Sequence, residues 1–278
     1  MFMRVPLLLL GAVSSSALVA CVGGAPEPVG SDPTSSTATA IVVIERAVGP
    51  GDSIRGDAVI ARFVRVRQGA VDDPALRIAG VAEDIPLPGT CFAPSESSGA
   101  VQGGRSVELL DVGQVVLTGE GSKSTVLLPR SMPDPAGVVS GVFYSSRAAD
   151  VFAAGSPVSL RSSGGADLEG FSVSVTAPRD VGDVHVASVA NGLDVSWDAA
   201  DADAHDLVYV DVLSPAPRVV MRCTSVDDGH LLVPHGSISG IDEGQLAVHR
   251  LHKESFKAKG IEPGEVRFDV AKVVTFRR

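Results

Sequence analysis

Apolar residues in the C-terminal part of this chain recur at every second position over short runs. Phe171, Val173 and Val175 are interleaved with Ser172, Ser174 and Thr176; Leu193, Val195 and Trp197 with Asp194, Ser196 and Asp198. Val208, Val210 and Val212 follow, then Val219, Met221 and Cys223. Near the end Val266, Phe268, Val270, Val274 and Phe276 share one parity, broken by Lys272. A period of two puts one set of side chains on one face of an extended strand, whereas a helix needs apolar residues at every third or fourth place. Such strands bury their apolar face only against another sheet, or by curling on themselves. Turn residues separate the runs: Asn191 with Gly192, Ser214 to Pro217, Asp227 to Gly229, and Glu262 to Gly264.

The stretch before residue 178 is strand-like but less regular. Segments 40–46, 58–67, 107–110, 115–118, 125–128, 138–144 and 157–161 read as strands, and Gly113, Gly119 and Gly121 as turns between them. The best short helix candidate is 254–259. The fold class expected is therefore all-β: a first β-sandwich over 41–178, a connector at 177–180, and a second over 179–278. About seven strands in about 100 residues is the size of an immunoglobulin-like sandwich. The segment from Gly192 to Trp197, followed by an acidic loop and then Leu207 to Val212, resembles the second and third strands of a fibronectin type III domain.

The first 21 residues carry a different pattern. Met1 to Arg4 supply one cation, and Val5 to Val19 are apolar apart from Pro6 and Ser14 to Ser16. About 15 such residues are too few to span a bilayer comfortably, but suit an export signal. Leu18, Val19, Ala20 and Cys21 close the segment. They match the lipobox Leu-x-Ala/Gly-Cys, and the chain here resembles the bacterial lipoproteins. That resemblance implies a signal peptide over 1–20, cleavage before Cys21, and acylation of Cys21 by chains of the palmitate kind. Two or three chains, at about 0.8 kcal/mol per buried methylene, hold a protein on a membrane stably. Val22 is not acidic, which in the best-known sorting rule implies the outer membrane. Residues 21–40 are rich in Gly, Pro, Ser and Thr and read as a flexible tether. The layout of lipobox, small-residue tether and two Val/Gly-rich β regions resembles uncharacterised lipoproteins of myxobacterial type. It implies the cell envelope and no known activity.

Charge narrows the partners. The chain has a net charge of -10, and without Arg4 the mature part stands at -11. A basic nucleic-acid surface is excluded by that balance. Aromatic residues make up 4%, with one Trp, too few for a base-stacking or sugar-stacking platform. Cys91 and Cys223 remain after Cys21 is acylated. Export to an oxidising compartment allows a disulfide between them, while a buried free Cys223 on the face of Val219 and Met221 is the alternative.

Few residues carry chemistry at telling spacing. Asp198, Asp201, Asp203 and Asp206 are dense enough to bind Ca²⁺, with His205 among them, but the EF-hand glycine and terminal Glu are missing. A solvated loop with Asx turns is the plainer reading. Asp227 to Gly229 reads as a hairpin turn. All six histidines follow residue 180; His249 and His252 would face opposite sides of a strand, and surface positions suit them better than a metal site. Arg62, Arg65 and Arg67 read as a solvated strand edge. Nucleophile-elbow, phosphate-loop, dinucleotide and His-Glu-x-x-His patterns are all absent from the sequence. The expectation is a membrane-anchored envelope lipoprotein that binds a protein or glycan or serves structurally, with no cofactor. A calcium-stabilised adhesion module and a hydrolase with residues from separate loops are the rivals.

Overall fold

A computed structural model of the chain describes residues 38–49, 54–66, 76–77, 79–80, 84–94, 107–132, 139–147, 152–199, 206–214 and 218–278. The expected signal, Cys21 and most of the tether lie outside the described residues, as do Arg67, Asp201, Asp203 and His205. Residues Ser36–Arg278 form one compact unit.

The unit is almost wholly β. The strands are β1 (Ala38–Val48), β2 (Ile54–Val66), β3 (Cys91–Phe92), β4 (Val107–Leu109), β5 (Val115–Thr118), β6 (Ser124–Ser131), β7 (Val139–Ser146) and β8 (Pro157–Gly164). They continue with β9 (Glu169–Thr176), β10 (Val184–Val189), β11 (Gly192–Trp197), β12 (Asp206–Leu213), β13 (Val219–Val226), β14 (His230–Pro234), β15 (Glu243–Ala258) and β16 (Ile261–Arg277). The seven segments expected before residue 178 coincide with β1, β2 and β4 to β8. β1 starts inside the expected tether, at Ala38.

The C-terminal strands form a sandwich. β10, β11 and β14 make a three-stranded sheet. Its Leu193, Val195, Trp197 and Val233 share a core with Val208, Val210, Val212, Leu246, Val248 and Phe276 of β12, β15 and β16. The two expected strands of segment 192–212 thus fall in the two opposed sheets.

The larger sheet does not stop there. Its order is β3-β13-β12-β15-β16-β1-β2-β4-β7-β6-β5-β8-β9. β1 lies parallel to β16, with Val42 opposite Val266 and Ile44 opposite Phe268. Strands from both sides of the expected boundary at 178/179 therefore share one ladder. Beyond β1 the sheet curls around a second core that holds Ile44, Phe63, Leu117, Leu160 and Phe268. It curls until β9 lies beside β15: Phe171 stacks on Phe256 with ring centroids 6.3 Å apart, and Thr176 N donates to Glu254 Oε2 at 2.7 Å.

Three expectations of local structure are corrected. The helix expected at 254–259 is the end of β15, because backbone pairing with β16 and the Phe171 stack outweigh a weak helical preference. The break expected at Glu262 to Gly264 lies inside β16; the turn comes earlier, at Gly260. Asp227 to Gly229 is not a hairpin, since β13 and β14 belong to different sheets. Gly229 does take the left-handed conformation expected of it, φ +84°.

Candidate functional site

The shared ladder has two faces. One carries these two cores, and the other carries a third, smaller one around Ile41, Val64, Leu109 and Val139. On the other, β13, β12, β15, β16, β1 and β2 present Arg222, Tyr209, His249, Asp269, Glu45 and Arg62 toward a cavity of about 770 Å³. Its floor is open because Ala271 and Ala47 face each other across the β1–β16 register, with Ala58 beside Glu45 on β2. Three methyl groups lie where longer side chains would fill the space. Gly80, Asp84 and Ile85 border it from the segments before β3, and Arg147 follows β7 at its exposed rim.

A stacked array holds one wall. The Arg222 guanidinium lies over the Tyr209 ring at 4.5 Å, and Tyr209 stacks on His249 at 4.3 Å with the planes 12° apart. Arg222 also donates twice to Asp211, Nε to Oδ1 and Nη2 to Oδ2, each at 2.7 Å, and Nη1 reaches Asp84 O at 3.0 Å. Asp269 accepts from the Tyr209 hydroxyl on one oxygen and meets His249 Nδ1 at 2.8 Å on the other. Asp211 and Arg222 are register partners, as are Tyr209 and His249, so cross-strand pairing builds the array.

The charges are tuned by this packing. Burial alone would push the His249 imidazole down, but Asp269 beside it and Asp211 at 3.9 Å hold it above its ordinary value. Burial would raise Asp269, but His249, the Tyr209 hydroxyl and Arg222 hold it low. Burial, then Asp269, push the Tyr209 phenol well above its usual range. Loss of bulk water and the nearby Asp269 raise Glu45, against the pull of His249 and Arg62. Burial lowers Arg62, aided by Arg267 and opposed by Glu45.

Arg62 is positioned from above. Its Nη1 donates to Gly80 O at 3.2 Å. A Cβ on Gly80, whose φ is +67°, would stand 2.6 Å from the Arg62 guanidinium carbon. Glycine alone lets the segment lie flat on that side chain.

The residues singled out in the sequence are dispersed. Arg62 lines the cavity and Arg65 pairs with Glu108 at 3.6 Å. Their strand is no solvated edge, since β2 is paired on both sides. His249 and His252 are not surface residues: His249 is half-buried against Asp269 and His252 is buried against Asp206. Asp206 is thereby engaged, and Asp198 accepts from Asp183 N at 3.4 Å. Among the described residues no group of three or more His, Cys, Asp or Glu side chains is placed to hold a metal. Cys91 and Cys223 are register partners on β3 and β13 and are joined by a disulfide.

Sequence inspection missed Glu45, Tyr209, Asp269 and Arg222, and also the buried hub at Arg250. Arg250 donates to Asp227 Oδ2 at 2.8 Å, to Asp180 O at 2.6 Å and to Asp198 O at 2.7 Å. Trp197 Nε1 donates to the same Asp227 at 2.7 Å. The connector at 177–180 is thus fastened to the sandwich. Removing either member of so buried a pair costs about 3–5 kcal/mol.

Compared with known proteins, the chain matches no family model and no curated protein.

Proposed function

We propose that the chain is a lipid-anchored cell-envelope lipoprotein whose folded part is a receptor for a small polar ligand. The single observation that carries the receptor reading is the cavity of about 770 Å³, within the usual size range of ligand pockets and walled by charged groups held in fixed positions. The lipobox at Leu18 to Cys21 supports the anchor, and Val22 supports the outer membrane. The seven strands β10 to β16, three packed on four, support a fibronectin type III-like reading of that part.

A hydrolase is the second reading, and one observation favours it. Glu45 is pushed up and Asp269 down, the pattern of an acid–base pair. Against it, both Asp269 oxygens are engaged, and the described lining has no serine or cysteine nucleophile.

The test has two arms. Mass spectrometry of the exported chain should find Cys21 acylated at the new N-terminus, and Cys21→Ser should release the protein from the membrane pellet. A thermal-shift panel of small polar compounds should yield ligands that stabilise the wild type and not Ala271→Phe, which fills the floor. Ala58→Phe serves if Ala271→Phe does not fold. Compounds that stabilise the wild type and both variants equally would place binding elsewhere and overturn the receptor reading.

A further inference from the structure

The cavity neutralises most of its own charge. Arg222 is matched twice by Asp211, His249 by Asp269, and Arg267 by Glu265. Three charged groups remain open to the space: Glu45, Arg62, and Arg147 out at the exposed rim; of the two cations only Arg62 lies within the cavity wall. Glu45 has no hydrogen-bond partner among the described residues, and Arg62 spends one donor on Gly80 O. They stand apart: Glu45 pairs with Ala58, while Arg62 lies four residues further along β2, opposite Ile41. Four strand residues span about 13 Å between backbone positions, and the two side chains close part of that distance, since each feels the other's charge. Val43 and Ile60 face each other in the gap, so an apolar strip joins an anionic end to a cationic one.

We infer that the cavity takes a short peptide with both termini free, its ammonium on Glu45 and its carboxylate on Arg62. This rests on the receptor reading above. A ligand of one sign leaves one end unmatched and desolvated. A quaternary ammonium is disfavoured because it needs open aromatic faces, and those of Tyr209 are covered by Arg222 and His249. A carboxylate suits the planar guanidinium, which binds it through two parallel hydrogen bonds. A single amino acid is short for the span, whereas two or three extended residues reach roughly 7–10 Å and lay their side chains on Val43 and Ile60.

Isothermal titration of the full chain in detergent tests this with alanine, dialanine, trialanine, N-acetyl-trialanine and trialanine amide. The free di- or tripeptide should bind, and each cap should weaken binding at least tenfold. Glu45→Gln should erase the penalty of N-acetylation while keeping that of amidation; Arg62→Gln should do the reverse, and Arg62→Lys should restore carboxylate preference. Capped peptides binding as tightly as free ones would overturn the inference, as would alanine outbinding every peptide. If the peptides fail while another compound binds the wild type and not Ala271→Phe, the peptide inference falls and the receptor reading stands. If nothing binds, both fall.

Discussion

His249 shows how a single side chain acquires its chemistry from strands far away in sequence. Its raised proton affinity comes from Asp269 on β16 and Asp211 on β12, against its own burial. A raised imidazole contributes stability that is complete below the ordinary value of 6.5 and is lost as pH climbs through the folded-state value. The lowered Asp269 contributes stability that is complete above its ordinary 3.8 and is lost as pH falls through its folded-state value. The two contributions are therefore both full between 3.8 and 6.5. The urea midpoint of the wild type should exceed that of His249→Gln in this window, and the gap should narrow as pH rises beyond 6.5. A gap that stays constant from about pH 5 to about pH 9 would contradict the ion pair. In the sequence, the opposite orientation of His249 and His252 was legible from strand periodicity. Their burial was not, because each acid partner sits on another strand, and no local pattern announces which strand will be its neighbour. Glu45 and Asp269 look like ordinary polar positions until the β1–β16 register brings them face to face.

Periodicity located the strands well, because alternation is a property of a few adjacent residues. It singled out no run for β10, β14 or β15, and it did not locate β3, whose two residues are too short to alternate. β3 exists through its partner: Cys91 opposes Cys223 and is bonded to it, while Gly89 N donates to Thr224 O at 2.7 Å and Thr224 N to Thr90 O at 3.0 Å. This strap holds Asp84 and Ile85 against the cavity, and Arg222 ties it down again through Asp84 O. Opening the bond should cost about 2–5 kcal/mol, since it closes a loop of 132 residues in the unfolded chain. Hydrogen exchange with and without reductant should show faster exchange of the Gly89 and Thr224 amides after reduction. The amides where β15 meets β16 should keep their rates. Unchanged exchange in the strap would mean that the hydrogen bonds alone secure it.

At the scale of the molecule, the two larger apolar cores were legible and their connection was not. Residues before 178 supply most of one core and residues after 180 most of the other, much as two sandwiches would. What joins them is the hairpin of β15 and β16, of 16 and 17 residues, about three times the usual strand length. The first half of β16 puts Ile261, Val266, Phe268 and Val270 into the core built from the N-terminal strands. Its far end puts Phe276 into the sandwich core, with Val274 packed against it. Arg250 sits on the neighbouring strand and fastens the connector through Arg179 O and Asp180 O. Neither core is complete without this hairpin, so the two should unfold together. Trp197 reports on the sandwich core by fluorescence, and exchange of the β1 and β2 amides reports on the other. In urea the two probes should give one coincident transition. A chain ending at residue 178 lacks β16 and should fail to fold, because burying those four side chains contributes on the order of 1.5–3 kcal/mol each for the larger ones. Two separated midpoints, or a stable fragment over 36–178, would show that the ladder between β1 and β16 joins parts already able to stand alone.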